Sequence, residues 1–143
     1  MTTDGDLRAI FARRILDAHW QSIETGGTGR GIPDSNYCLN SGEEGWVEFK
    51  KTTGWALSIQ AEQIAWIERR ARVGGRVFVA VRRKTAGGPR AGKAVDQLWL
   101  LGPEAARLRT VGPVLSAGLV RGCWDGGPAR WNWLEIRHLL SRK

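Results

Sequence analysis

The apolar positions of the chain recur with a helical period near its start and with a period of two further along. Leu7, Ile10, Phe11, Ile15 and Ala18 fall at helical spacing while Arg8, Arg13, Arg14 and Asp17 lie largely around the other face. This predicts an amphipathic helix over 6–21, capped by Asp4 or Asp6. Alternation then predicts short strands over 36–39 and 46–51, joined by the polar turn from Asn40 to Gly45. A second helix is expected over 58–73, with Ser58 as N-cap and Gln60, Gln63, Ile64, Ile67 and Ala71 on one stripe. Arg69, Arg70 and Arg72 complement its dipole, and Gly74-Gly75 end it. A strand over 76–83, alternating around Val77, Val79 and Val81, is expected to be central, and another follows over 95–101. Between them runs a Gly/Pro loop, Thr85 to Lys93, whose basic tips suit phosphate contact. A short helix to about Arg109, a segment over 113–120 with no assignable period, and a helix over 134–140 complete the chain. Trp124, Trp131 and Trp133 read as core or interface anchors rather than base-stacking groups.

These elements make an α/β fold: a mixed sheet of about four or five strands flanked by helices. The whole chain, 1–143, is read as one domain, with a core over about 6–101 and a Trp-rich C-terminal extension over about 102–143. A chain of 143 residues can bury a normal core without disulfides or structural metals. Cys38 and Cys123 have no zinc spacing and read as free thiols in a reducing compartment. The N-terminus lacks the basic and apolar regions of a secretory signal, and apolar runs such as Val77 to Val81 are too short to span a bilayer. A cytoplasmic protein with no membrane association is the expectation.

Charge narrows the choice of partner. The net charge is +8, from 22 Lys plus Arg against 14 Asp plus Glu, and nine basic residues with no acidic one lie between Arg69 and Lys93. Such a footprint suits a polyphosphate, DNA above all; the rival reading is an Arg-rich solvated surface.

The candidate chemistry sits on the first two predicted strands. Glu48 and Lys50 point to one side of their strand and Val47 and Phe49 to the other, so the strand has a chemical face and a core face. If Asp34, after Pro33, opens the neighbouring strand, two carboxylates and an ammonium converge. Hard divalent cations, Mg²⁺ or Mn²⁺, prefer such oxygen donors and can support phosphodiester hydrolysis, with Lys50 orienting water or offsetting charge. An ordinary edge-strand ion pair is the alternative for Glu48 and Lys50. Gln60 and Gln63 face inward, where polar groups need partners; a metal-bound water or a phosphate would serve, as would sheet-edge backbone. The glycine run from Gly26 to Gly31 leads into Ile32-Pro33-Asp34 rather than a helix, which excludes a dinucleotide fingerprint and leaves a loop that a DNA backbone can approach. His19 and His138 read as packing or surface residues.

The runs Gly31-Ile-Pro-Asp-Ser-Asn-Tyr-Cys, Gly45-Trp-Val-Glu-Phe-Lys, Gln63-Ile-Ala-Trp66 and Gly74-Gly-Arg-Val-Phe resemble the PD-(D/E)XK nuclease superfamily, most strongly over 24–82. Within it, the chain is most similar to small phage-encoded nucleases related to Holliday-junction resolvases and to the virus-type replication-repair nucleases. The resemblance implies a restriction-endonuclease-like core and metal-dependent endonucleolytic cleavage of DNA, with branched DNA such as a four-way junction as the expected substrate. It implies metal ligation by Asp34 and Glu48, joined by Glu24 and the carbonyl of Phe49. Many resolvases instead place the additional glutamate in the first helix, whose acidic residues here are Asp6 and Asp17. Lys50 would position the attacking water and Gln63, followed by Trp66, would orient water or phosphate, with Gln60 as runner-up. Two opposed cuts in a junction imply a C2 homodimer. A flap or end nuclease would share every residue named. A restriction-type enzyme would need readout elements that are not evident, and the rival from another class is a non-catalytic DNA-binding protein on a nuclease fold.

Overall fold

A computed structural model describes residues 4–23, 31–108 and 120–142. Its elements run α1 (Asp4–Arg14), β1 (Ala18–Ser22), β2 (Ser35–Leu39), β3 (Glu44–Thr52), α2 (Ala61–Arg72), β4 (Arg76–Thr85), β5 (Val95–Leu101), a short 3-10 helix (Pro103–Leu108), β6 (Val120–Trp124) and α3 (Trp133–Leu140). The six strands form one sheet in chain order, β1-β2-β3-β4-β5-β6. β3 and β4 are parallel, joined by the crossover through α2, and the other neighbours are antiparallel. This is the α/β architecture expected, a mixed sheet flanked by helices with a helical C-terminal extension.

Alternation sorts the side chains onto two faces. On one, Leu7, Phe11 and Ile15 of the N-terminal segment and Ile136 and Leu140 of α3 cover Tyr37, Val47, Phe49, Phe78, Leu98 and Leu100. On the other, Ile64 and Ile67 of α2 and Ala105 of the 3-10 helix cover Val77, Val79, Val81, Trp99 and Leu101. β4 is buried on both faces from Val77 to Arg82, as a central strand must be. The Tyr37 hydroxyl donates 2.6 Å to the Leu140 carbonyl, tying the C-terminal helix to β2 inside this core.

Three expectations need correction. The first helix ends at Arg14, and 18–22 is an edge strand. Ala18 satisfied the helical period, but Trp20 packs on Phe11 and Tyr37, at 6.1 and 5.5 Å between ring centroids, only in an extended chain, with His19 and Gln21 turned outward. The second helix starts at Ala61 rather than Ser58, because Leu57 and Ile59 are both buried and their alternation keeps the segment extended. The sheet has six strands, since β1 and the five residues of β6 add an edge on each side. The loop from Thr85 to Lys93 carries a short bridged tip, with paired hydrogen bonds of 2.9 and 3.1 Å between Gly88 and Gly92. Of the segment over 113–120, residues 113–119 lie outside the described residues and Val120 opens β6.

The three C-terminal tryptophans pack as expected of core residues. Trp124 and Trp131 are buried, and the indole N–H groups of Trp124, Trp131 and Trp133 donate to Glu135, to the Asp96 carbonyl and to the Pro128 carbonyl. Cys38 and Cys123 are free thiols. Among the described residues no helix is long and apolar enough to cross a membrane.

Candidate active site

The site forms where β2 parts from β3. The ladder between them reaches only as far as Ser35 opposite Val47, so the next residues of β3 have no strand partner on that side. Asp34 occupies the gap. Its main-chain N–H donates 3.2 Å to Glu48 Oε1, and its own Oδ2 accepts the Phe49 N–H at 2.8 Å. A carboxylate thus replaces the missing backbone partner, which is how Pro33-Asp34 and Glu48 come together across 14 residues of sequence. Gly31 stands against the first turn of α2 with φ +85°, and a Cβ there would collide with the Glu62 carbonyl. That close approach of loop to helix requires glycine.

Glu48 and Lys50 share the α2 side of β3, while Phe49 between them is fully buried on the other face. Lys50 Nζ lies 3.2 Å from Glu48 Oε2. From the first turn of α2, Gln63 uses both ends of its amide. Nε2 donates 2.8 Å to Glu48 Oε2, and Oε1 accepts Lys50 Nζ at 3.3 Å and the Gln60 N–H at 2.9 Å. Between the two glutamines weighed from sequence, Gln63 therefore belongs to the cluster, and Gln60 contributes its backbone as the helix N-cap. Glu24 lies outside the described residues. Asp6 and Asp17 do not join the cluster: Asp17 pairs with Arg137 at 2.7 Å.

The electrostatics are unbalanced toward negative charge. Glu48 is 2% exposed, and burial, then the neighbouring Asp34 charge, push its carboxyl up to about 7 against the pull of Lys50. Asp34 is also held above the usual carboxylate range by burial, although the Phe49 N–H, Lys50 and Arg8 all favour its charged form. Arg8 is the one charge felt by Asp34 that sequence reasoning did not place near the cluster. It lies on α1, the helix that packs over β3, and nothing in local spacing marks it out from the other arginines of that helix.

Two buried carboxylates beside one lysine form a donor set suited to a hard divalent cation, whose charge would offset the burial that raises both groups and the Asp34 charge that Glu48 also feels. Among the described residues no cluster of three or more His, Cys, Asp or Glu is present. Magnesium, which usually keeps several waters, needs no such cage. Asp34, Glu48 and the carbonyl position of Phe49 are the groups able to hold it.

Set beside known proteins, the chain matches no family model, and no curated sequence matches it significantly.

Proposed function

We propose that the protein is a divalent-metal-dependent DNA endonuclease of the PD-(D/E)XK kind. The observation that carries this reading is the convergence of Asp34, Glu48, Lys50 and Gln63 at the parting of β2 and β3. Asp34 and Glu48 would hold Mg²⁺ or Mn²⁺, with Phe49 lending its carbonyl. When bound, such an ion activates water and stabilises charge on the phosphate undergoing hydrolysis. Lys50 holds a cationic N–H group beside that position and positions the attacking water. Gln63 fixes Lys50 and Glu48 relative to each other through the two ends of one planar amide, so neither turns without breaking a hydrogen bond to it.

Branched DNA, cut by a C2 homodimer as a junction resolvase would, is the substrate implied by the sequence resemblance. A second reading, cutting at flaps or ends, has an observation in its favour. Trp55 is 43% exposed on the loop that follows β3, with the Arg83 guanidinium 4.1 Å from its ring centroid. An exposed indole backed by arginine suits an unpaired base.

The test is cleavage of matched labelled DNAs (four-way junction, flap, single strand and linear duplex) with Mg²⁺, with EDTA, and by the Asp34→Asn variant. Paired nicks in the junction, lost with EDTA and in the variant, support the resolvase. Cutting of flaps or ends selects the second reading. Tight binding without metal-dependent cutting of any substrate overturns the enzyme reading in favour of a DNA-binding protein.

A further inference from the structure

Past Gln63, the same face of α2 carries Trp66 and Arg70, at spacings of three and seven residues. Opposite them, two residues before Glu48 and on its side of β3, stands Trp46. The Arg70 guanidinium lies 4.6 Å from the Trp66 ring centroid and 5.3 Å from that of Trp46, and the two rings are 5.0 Å apart at 65°. Its aliphatic stem crosses Gly75, where a Cβ would meet the Arg70 Cγ and Cδ at 2.7 Å. Two indoles and a glycine therefore hold one arginine in place.

Among the described residues this guanidinium makes no ion pair and no hydrogen bond, in contrast to Arg82, Arg107, Arg121 and Arg137, each of which has a carboxylate. It opens on a cavity of about 670 Å³ lined by Trp66, Arg69, Arg70, Val73, Gly74 and Gly75, which contains no acidic residue. A second cavity of about 440 Å³ shares Arg70 and Gly75 and adds Trp46 and Arg76, with Glu44 on its lining. A guanidinium stacked on aromatic rings keeps its in-plane N–H groups for an oxyanion, and its orientation is already set before binding. The groove is thus built for an anion and lacks an internal one.

We infer that this groove binds a backbone phosphate of DNA, gripped by Arg70 with Arg69 beside it, at a position flanking the one cleaved. Seven residues of helix separate Gln63 from Arg70, roughly 10 Å along the axis, so the same phosphate does not reach both. Contacts to phosphate orient a strand without reading its bases, so the groove sets affinity and register rather than sequence preference. Its role beside a cleavage site rests on the nuclease reading; the binding itself does not.

The experiment is anisotropy titration of a labelled duplex in EDTA at several salt concentrations, using the full chain, Arg70→Gln and Val73→Glu. Val73 is 76% exposed on the cavity lining, so the second variant places a negative charge in the groove without disturbing the stack. Arg70→Gln is expected to weaken binding about tenfold and to lower the slope of log K against log salt by about one. Val73→Glu is expected to weaken binding by a similar factor at an unchanged melting temperature. In cleavage assays Arg70→Gln raises KM at constant kcat. Wild-type affinity and salt slope in the folded variants would overturn the inference. Lowered affinity and slope in a protein that cuts no DNA with Mg²⁺ would leave the groove standing and remove the nuclease.

Discussion

Two half-buried carboxylate–cation pairs stand on the same sheet, and they differ in what surrounds them. Arg82 and Asp96, on adjacent strands β4 and β5, form two parallel hydrogen bonds of 2.8 Å each, Nε to Oδ1 and Nη2 to Oδ2. Trp131 lies 5.6 Å from that guanidinium and donates its own N–H to the Asp96 carbonyl. One positive charge meets one negative charge, and the Asp96 hydrogen bonds hold the Arg82 proton more tightly than usual. At Glu48 and Lys50 a second carboxylate, Asp34, intrudes; burial pushes both acids toward their neutral forms, and the Asp34 charge adds to the shift of Glu48. The first pair is electrostatically closed. The second keeps an excess of negative charge, which under the proposed function is the difference between a metal-holding cluster and a structural clasp.

The comparison can be broken from either side. Asp34→Asn is expected to reduce metal-dependent cleavage about a thousandfold in single-turnover assays. Because it removes a repulsive charge and keeps an acceptor for the Phe49 N–H, its melting temperature should equal or exceed that of the wild type. A fall in stability would place Asp34 with the structural pairs. Arg82→Ala should do the reverse, leaving the half-buried Asp96 without its hydrogen-bonded counter-charge and lowering unfolding free energy by about 2 kcal/mol in urea titrations. Activity per folded molecule should persist.

Titration sharpens the contrast. Folding raises the Glu48 carboxyl from 4.5 to about 7, so between these values the native state binds more protons than the unfolded chain. The stabilisation is full below pH 4.5 and is lost as pH rises through 7, amounting to about 3 kcal/mol in the metal-free protein. Melting in EDTA should show this loss, and it should shrink in Asp34→Asn, because the Asp34 charge is one cause of the shift. Added Mg²⁺ should raise the melting temperature more at pH 8 than at pH 5, since metal binding requires the ionised carboxylates. A smaller effect is expected at Gly31→Ala, which strains a positive φ and crowds the Glu62 carbonyl, at about 1 kcal/mol. Cleavage should fall in this variant beyond what its stability loss explains, because Asp34 and the α2 turn bearing Gln63 shift together; unchanged kcat would show that the loop does not position the site.

Much of the candidate site was legible locally. Glu48 and Lys50 share a face because a strand repeats every two residues, and Val47 and Phe49 mark the opposite face as core. Gln63 stood out, together with Gln60, as an inward-facing polar residue on a stripe otherwise apolar. Its role over Gln60 depended on where α2 begins, and buried Leu57 and Ile59 moved that start by three residues from the expected Ser58. Arg8 gave no signal, since its influence on Asp34 comes from the placement of α1 over β3. Edge strands were the weakest reading: Ala18 fits both a helical and an extended period, and only packing of Trp20 on Phe11 and Tyr37 selects the second.

By itself the sequence determined what repeats at short range: the central strands, the amphipathic second helix, the faces of β3, and the excess of positive charge. These follow from side-chain period and composition, which need no partner to be read. Only the tertiary structure decided that the pairing of β2 with β3 begins at Ser35, that Asp34 just before it fills the opening, and that Trp46, Trp66 and Arg70 meet across strand and helix. Contacts between residues far apart in sequence depend on how elements are placed against one another, and that placement is settled by burying the two sheet faces together.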